Sequence, residues 1–194
     1  MHLSQTITDL LADMQNQAGL AQDKEHWERA RSLHPDSARL LNIVARSMGA
    51  RRILEIGTSV GYSTVFLALA AQATGGHVTT LELMPAKFEA AQANLARGEL
   101  TPFVTQHLGD ALELLPGLPG PWDLMFVDAE KDLYAAVWPL IKDTVRPGGL
   151  VVSDNVVSHA SDLAPYLDMV RADEHYDTVT VPIGSGLEFS SRRL

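Results

Sequence analysis

Hydrophobic positions along this chain follow two different spacings. Near the start, Ile7, Leu10, Leu11 and Met14 recur at helical spacing, and the same spacing returns between Pro35 and Gly49. From residue 51 onward, short apolar runs alternate with segments of helical spacing. The runs predict strands at 53–56, 77–83, 103–108, 124–127, 150–153, 179–183 and 187–190. The segments between them predict helices at 62–73, 85–97, 111–115, 133–145 and 161–172.

Strands that alternate with helices indicate an α/β fold, in which a mostly parallel sheet is covered by helices on both faces. The last two runs flank Gly184-Ser185-Gly186, which predicts a closing antiparallel pair in a seven-stranded sheet. No repeat or low-complexity tract interrupts the pattern. We therefore predict a single domain over 1–194, with a helical N-terminal segment at 1–35 and a core at 50–194.

Composition restricts the partners of such a domain. Fifteen Lys and Arg stand against 24 Asp and Glu, and the resulting formal net charge of −9 disfavours nucleic acid. Cysteine is absent, which excludes disulfides, thiolate nucleophiles and cysteine-bound metals. No apolar stretch reaches the roughly 20 residues that cross a bilayer, and the first residues lack the layout of a signal peptide. We expect a cytoplasmic protein that acts on a small molecule, without a membrane or nucleic-acid partner.

A glycine-containing turn follows the first strand of the core. Residues 54–63, LEIGTSVGYS, run from an apolar strand through Gly57 and Gly61 into a helix. Such a turn brings backbone N–H groups to a point where a nucleotide-like ligand binds. A dinucleotide fingerprint is G-x-G-x-x-G, and here Ser59 stands where its middle glycine would be. The segment therefore predicts a nucleotide-like cofactor and weakens the case for a dinucleotide.

Acidic residues stand at the predicted carboxyl ends of the strands, where ligands bind in open α/β sheets. They are Glu55, Glu82, Asp110, Asp128 and Asp154. A carboxylate at Glu82 is placed to accept the ribose hydroxyls of an adenosine, and Asp110 is placed near its adenine amino group. A pocket lined by acids also suits a ligand that carries a positive sulfonium and ammonium.

Two of these strand ends offer only hard oxygen donors. Asp128 follows one strand, and Asp154 and Asn155 follow the next. Carboxylate and amide oxygens suit Mg²⁺ or Ca²⁺, and Mg²⁺ keeps waters or takes substrate oxygens to complete its octahedron. Lys131 lies three residues beyond Asp128, in the loop above the sheet.

The glycine-turn segment resembles the first motif of class I S-adenosylmethionine-dependent methyltransferases. It is most similar to the cation-dependent O-methyltransferases, the group of catechol and caffeoyl-CoA O-methyltransferases, which commonly shows L-E-I-G-x-x-x-G-Y-S. The resemblance implies a Rossmann-like methyltransferase fold that binds S-adenosylmethionine, with Ser63 hydrogen-bonded to the methionine carboxylate. The cofactor-binding positions that it implies are Glu55, Gly57, Ser59, Tyr62, Ser63, Glu82, Asp110, Ala111 and Asp128.

The later blocks extend the resemblance, because the family places an Asp, a Lys three residues on, and an Asp-Asn pair after the next strand. This implies that Asp128, Asp154 and Asn155 bind Mg²⁺ or another divalent cation such as Ca²⁺ or Mn²⁺, and that Lys131 is the general base. A phenolic hydroxyl titrates near ~10, and a cation bound to both oxygens of a vicinal diol would acidify it and fix its orientation.

The resemblance is weaker at the two ends of the chain. Gly186-Leu187-Glu188 is similar to a Gly-Leu-Glu of catechol O-methyltransferase, which implies that Glu188 lies beside the acceptor, although a strand acid facing solvent explains it equally well. Before residue 49 the resemblance fades, and segment 1–35 is expected to contribute to substrate or oligomer contacts. Trp27 and His34 are its nearest candidates for contact with substrate. Homodimers are common in the family, so the resemblance makes a homodimer possible, but nothing in the sequence fixes the oligomeric state.

The sequence thus predicts a cation-dependent O-methyltransferase that uses S-adenosylmethionine and acts on a small vicinal-dihydroxy aromatic. Two alternatives stay open at this point, an NAD-dependent oxidoreductase and a non-catalytic cofactor-binding protein. Tyr134, Trp138 and Tyr166 lie on helical stretches and are interpreted as packing residues.

Overall fold

The computed structural model describes residues 3–20 and 33–194, and Trp27 lies outside these ranges. The helices are α1 (Gln5–Leu20), α2 (Pro35–Ser47), α3 (Tyr62–Thr74), α4 (Pro85–Arg97), α5 (Ala111–Leu114), α6 (Tyr134–Ile141) and α7 (Ala164–Ala172). The strands are β1 (Arg52–Ile56), β2 (His77–Glu82), β3 (Val104–Leu108), β4 (Trp122–Val127), β5 (Val145–Ser153), β6 (Tyr176–Val181) and β7 (Leu187–Arg192). Within the described ranges, no helix combines the length and apolar character needed to cross a membrane.

The strands form one sheet in the order β3-β2-β1-β4-β5-β7-β6. Strands β1 to β5 pair in parallel, and β7 runs antiparallel to both of its neighbours. The predicted α/β fold, with a mostly parallel seven-stranded sheet and a closing antiparallel pair, is therefore confirmed.

The sheet separates two hydrophobic cores, because successive strand residues point to opposite faces. Phe126 packs with α1, α2 and α3 on one face, whereas the adjacent Met125 packs with α6 and α7 on the other. Helices therefore cover both faces, as the continuous apolar runs of the central strands require.

The boundary between α6 and β5 differs from the prediction. The helix expected over 133–145 ends at Ile141, and a short 3-10 turn leads into β5, which begins at Val145 rather than at residue 150. Val145 is buried and pairs with Trp122, whereas the next pair in the register is Leu124 with Leu150. The segment Pro147-Gly148-Gly149, which lies before the predicted strand, is thus an irregularity inside β5, with an apolar pair on each side.

At the carboxyl ends of β1 and β4, the backbones approach each other closely at Gly57. This residue has φ +100°, and a Cβ atom there would lie 2.2 Å from the carbonyl oxygen of Asp128. Only glycine fits both the conformation and the space. The amide of Asp128 donates to the Ile56 carbonyl at 2.9 Å, which ties the two strand ends together.

Glu55 is fully buried beneath this turn. Its carboxylate accepts hydrogen bonds of 2.6 Å from the hydroxyls of Ser63, Thr64 and Thr80, which come from α3 and β2. Burial raises the pKa of Glu55 to about 7, against the opposing effect of these three donors. The buried acid therefore joins β1, β2 and the first turn of α3 under the loop.

We predict that Gly57→Ala destabilises the protein more than Gly75→Ala. Both glycines have positive φ, +100° and +68°, but a Cβ at Gly75 meets nothing within 4 Å. The cost at Gly75 is expected to be about 1 kcal/mol from backbone conformation, with about 2 kcal/mol more at Gly57 from the clash. Urea unfolding followed by circular dichroism measures both, and equal losses would contradict the close approach.

The free energy of unfolding is predicted to depend on pH through Glu55. Its folded-state pKa of about 7 lies above the ordinary 4.5, so the folded state holds a proton that the unfolded state releases. Stability from this group is complete below pH 4.5 and is lost as pH rises through 7, by up to about 3 kcal/mol. Relative to wild type, Glu55→Gln should gain stability over this window in urea titrations. Parallel pH profiles for the two proteins would contradict the assignment.

Candidate active site

A cavity of about 470 Å³ lies beyond the carboxyl ends of β1, β2 and β3. The loops that follow these strands line it, together with the loop after β4. Of the predicted cofactor residues, the structure brings Gly57, Glu82, Asp110 and Ala111 to the wall of this cavity. The cavity therefore lies at the carboxyl ends of the strands, which is where ligand binding was expected.

Glu82 connects the glycine turn to the end of β2. Its carboxylate accepts the backbone N–H of Ser59 at 2.7 Å and that of Met84 at 2.9 Å. Ser59 has φ +49°, a conformation that L-residues seldom adopt, and the bond to Glu82 holds it there. Each carboxylate oxygen accepts more than one hydrogen bond, so Glu82 orders the loop and keeps acceptor capacity toward the cavity that it lines.

Asp110 and Ala111 form the start of α5. Asp110 is the N-cap of this helix, and its Oδ1 accepts the N–H of Leu112 at 2.8 Å. Ala111 is largely buried beside it. The predicted position of Asp110 at the cavity thus coincides with an ordinary capping role, which fixes the direction of its carboxylate.

Three predicted cofactor residues lie beneath the loop and do not line the cavity. Glu55 has no exposed surface, and the Ser63 hydroxyl donates to Glu55. The predicted hydrogen bond between Ser63 and a methionine carboxylate stays a prediction. Tyr62 is 3% exposed, and its hydroxyl accepts a 2.7 Å hydrogen bond from Gln15 of α1. In this structure all three support the turn from below.

The predicted cation ligands meet at the ends of β4 and β5. Asp154 is 3% exposed; its Oδ2 accepts from the Asn155 side-chain amide at 2.9 Å, while its buried Oδ1 has no hydrogen-bond partner among the described residues. Burial and the negative charge of Asp128 raise the pKa of Asp154 to about 7. Asn155 has φ +66°, which asparagine tolerates better than most residues.

No group of three or more His, Cys, Asp or Glu side chains suited to a metal ion occurs in the described part of the chain. The donor set at these strand ends is two carboxylates and one amide. It is a set of hard oxygens suited to Mg²⁺ or Ca²⁺ when water or substrate supplies the remaining positions.

Lys131 lies directly above this cluster. Its Nζ donates to the Ala129 carbonyl at 2.9 Å and lies 3.5 Å from Oδ1 of Asp128. The ammonium also lies 5.1 Å from the centre of the Tyr134 ring, and only 13% of the lysine side chain is exposed. Contacts on several sides therefore hold the amine beside the carboxylates.

Tyr134 has polar contacts that the sequence interpretation as a packing residue did not include. Its hydroxyl donates to the carbonyls of Val127 and Asp154, at 3.1 and 3.2 Å. Burial, with the charges of Asp128 and Asp154 nearby, holds the pKa of this hydroxyl well above its ordinary value, so it remains a donor. The signal in the sequence is its spacing, since Tyr134 follows Lys131 by three residues and shares one face of the turn.

Glu188 does not line the cavity, and its predicted contact with an acceptor stays a prediction. It is 1% exposed, and its carboxylate accepts two bonds from the Arg171 guanidinium, at 2.9 and 3.1 Å. A hydrogen bond from the Thr180 hydroxyl of β6 completes its surroundings. Without Arg171 the buried carboxylate would be an unpaired charge, which is strongly unfavourable. This explains why the Glu188 side chain turns toward α7. The spacing of Arg171 and Glu188 along the chain does not indicate this pairing.

His34 lies outside the cavity as well. Its Nδ1 accepts the N–H of Asp36 at 3.2 Å, so it caps α2, and Gly184 packs against its Cβ. Its contact with substrate stays a prediction.

Several known proteins are similar to this chain in sequence or in structure. Catechol O-methyltransferase of Niastella koreensis is 38% identical over 130 residues, 65% of this chain and 58% of that protein. Caffeoyl-CoA O-methyltransferase 2 of Eucalyptus globulus is 28% identical over 181 residues, 81% of this chain and 73% of the relative. The O-methyltransferase TomG from Streptomyces achromogenes, involved in tomaymycin synthesis and solved with S-adenosylmethionine, matches with a TM-score of 0.83 at 28% identity, over 96% of this chain and 90% of its own.

These matches confirm the resemblance to catechol and caffeoyl-CoA O-methyltransferases, although this chain spans less than two thirds of the Niastella protein. A family model described as "Methyltransferase domain" matches residues 54–156, from the strand below the glycine turn to the residue after Asn155. That segment is more than half of the chain and contains both the cavity wall and the carboxylate cluster, and by this match the chain belongs to the methyltransferase domain family.

Proposed function

We propose that this chain transfers a methyl group from S-adenosylmethionine to one hydroxyl of a small vicinal-dihydroxy, catechol-like aromatic, with a divalent cation bound beside the acceptor. The observation that carries the proposal is the buried Oδ1 of Asp154, which has no hydrogen-bond partner in the described ranges. A buried carboxylate oxygen without a donor is unfavourable, and a cation ligated by it removes the penalty. The glycine turn lies within the segment that matches a methyltransferase domain, and this match disfavours the alternative of an NAD-dependent oxidoreductase.

The cavity is the proposed site of the methyl donor. Glu82 is assigned to the ribose hydroxyls and Asp110 to the adenine amino group, because both carboxylates line the cavity. TomG, whose structure contains S-adenosylmethionine, supports this assignment by its likeness over nearly the whole chain. The acidic wall also favours the positive sulfonium and ammonium of this donor. We assign Glu55, Ser63 and Tyr62 to the support of the glycine turn.

Asp128, Asp154 and Asn155 are the proposed cation ligands. Their oxygens fit Mg²⁺, and Mn²⁺ or Ca²⁺ are the alternatives. When bound, the cation would supply Lewis-acid stabilisation of the acceptor's ionised oxygen. The position of these three residues would also orient the acceptor, because both of its adjacent hydroxyls would be directed toward them.

Lys131 is the proposed general base. It stands beside the cluster with its amine within 3.5 Å of Asp128, and the loop encloses most of its side chain. In its neutral form the amine would take the proton from the acceptor hydroxyl, and this proton transfer would leave the oxygen as the nucleophile. General-base catalysis of this kind contributes about 10²- to 10⁴-fold.

The charges at both proposed sites support a compact acceptor. Glu82, Asp110, Glu130 and Asp132 line the donor cavity, where Lys87 is the single basic residue among the described residues of the wall. A coenzyme A ester, whose phosphates need basic partners, would meet these acids and the carboxylates of Asp128 and Asp154, beside which the acceptor is proposed to bind. We therefore assign a small diol as the acceptor. The homodimer, the cytoplasmic location and the division of the domain at residues 1–35 and 50–194 stay predictions.

Removal of divalent cations is predicted to stop methyl transfer. Activity on catechol with labelled S-adenosylmethionine should vanish in EDTA and return with Mg²⁺, because the acceptor loses the ion that acidifies it. Asp154→Asn should raise the Mg²⁺ concentration needed for half-maximal activity, whereas Asp162→Asn, an exposed residue of the same loop, should not. Full activity in EDTA, with intact binding of S-adenosylhomocysteine, would contradict cation dependence.

Lys131→Met is predicted to lower kcat by about 10²- to 10⁴-fold, because the amine that accepts the proton is lost. Calorimetry should show that S-adenosylhomocysteine still binds within about twofold of wild type, since the cofactor wall is untouched. Lys142→Met is the matched control, because Lys142 pairs with Asp173 at the other end of α6. Near-normal kcat in Lys131→Met would exclude the residue as the base.

A further inference from the structure

Tyr134 stands between the two loops that carry the proposed cation ligands. It begins α6 and has no exposed surface. One hydroxyl donates to two carbonyls, Val127 O at 3.1 Å and Asp154 O at 3.2 Å. The first carbonyl ends β4, and the second follows β5, so a single O–H group links the ends of neighbouring strands.

Each of these carbonyls belongs to a peptide bond that leads into a proposed ligand. The Val127 carbonyl is joined to the amide of Asp128, and the Asp154 carbonyl to that of Asn155. Peptide groups are planar, so a hydrogen bond to each carbonyl also restrains the orientation of the next residue. The hydroxyl of Tyr134 therefore bears on the relative placement of Asp128 and Asn155, although it ligates nothing itself.

The ring of Tyr134 contacts Lys131, the proposed base beside the cation ligands. Lys131 Nζ lies 5.1 Å from the ring centre and 3.5 Å from the hydroxyl oxygen. On its other side the ring packs edge-on against Tyr166 at 5.3 Å between centres, and the Tyr166 hydroxyl is 2.6 Å from Oγ of Ser153. The ring is thus fixed from α7 and β5 while it contacts the lysine.

We infer that Tyr134 is a positioning residue that sets the separation of Asp128 from Asp154 and Asn155 through its hydroxyl and seats Lys131 on its ring. The expected effect on cation binding and activity rests on the proposed function, whereas the contacts of Tyr134 do not depend on a bound ion. Removal of a residue that orients metal ligands, without ligating the metal itself, typically changes metal affinity or activity by about 10- to 100-fold.

Tyr134→Phe isolates the hydroxyl, because it keeps the ring, its packing on Tyr166 and its contact with Lys131. The Val127 carbonyl would still accept the N–H of Asp154 at 3.0 Å, so one of the two acceptors keeps a partner and folding is expected to persist. The matched control is Tyr176→Phe. Tyr176 packs on Trp138 in the same apolar core, and its hydroxyl donates to the Lys142 carbonyl at 2.6 Å, away from the cluster.

Calorimetric titration of the acceptor-free protein with Mn²⁺ gives the first readout. For Tyr134→Phe we expect the Kd for Mn²⁺ to rise about tenfold and kcat to fall about tenfold, with the Kd for S-adenosylhomocysteine within about twofold of wild type. The second readout is amide hydrogen exchange by mass spectrometry. Exchange should accelerate in peptides covering 127–132 and 153–157, and Tyr176→Phe should leave all these values unchanged.

Wild-type Mn²⁺ affinity and wild-type exchange in Tyr134→Phe would overturn the inference, as would equal effects in Tyr176→Phe. Failure of the wild-type protein to bind Mn²⁺ would instead overturn the cation assignment of the proposed function. In that case the exchange comparison alone decides the role of Tyr134, and unchanged exchange in both segments would refute it.

Discussion

The close approach of Gly57 to the Asp128 carbonyl is the constraint on which the rest of the candidate site depends. It brings the turn after β1 against the end of β4, where no side chain would fit. Gly57 belongs to the wall of the cavity together with Glu82 and Asp110, whereas Asp128 lies 3.5 Å from the amine of Lys131. A donor bound in the cavity and an acceptor bound at the carboxylates would therefore be neighbours because two backbones touch.

Buried polar groups maintain that arrangement from below. Glu55 takes three hydroxyl donors under the turn, and the Tyr134 hydroxyl spans two carbonyls at the ends of β4 and β5. Such groups are costly unless they are fully paired. Where pairing is complete, these groups hold one geometry. Asp154 Oδ1 has no partner among the described residues, so the site has capacity for a ligand there.

Much of the fold follows from periodicity, because strands buried on both faces read as continuous apolar runs. The order of acids along the chain then identifies the functional edge of the sheet. The orientation of individual side chains does not follow from such patterns. Glu188 pairs in the sheet with Ser153, the residue before Asp154, yet its carboxylate turns to Arg171, which lies 17 positions earlier on α7.

Tyr134 and the start of β5 show the same limit. Both depend on tertiary partners. The Tyr134 hydroxyl donates to carbonyls at the ends of β4 and β5, and Val145 pairs with Trp122. The spacing of apolar residues predicts a helix through residue 145, and pairing of Val145 in the sheet overrides it. Gly57, Glu82, Asp110 and Ala111 could be placed at the cavity from sequence because they stand at the ends of strands. The supporting positions of Glu55, Ser63 and Tyr62 are determined by packing and could not.

The central claim is that donor and cation sites adjoin across the Gly57–Asp128 contact. A crystal structure of the protein with S-adenosylhomocysteine and Mn²⁺, using anomalous scattering to locate the metal, tests it most directly. The account predicts one Mn²⁺ peak about 2.0 to 2.4 Å from oxygens of Asp128, Asp154 and Asn155, with the nucleoside in the cavity beside Glu82. A metal bound elsewhere, or a nucleoside outside that cavity, would contradict it.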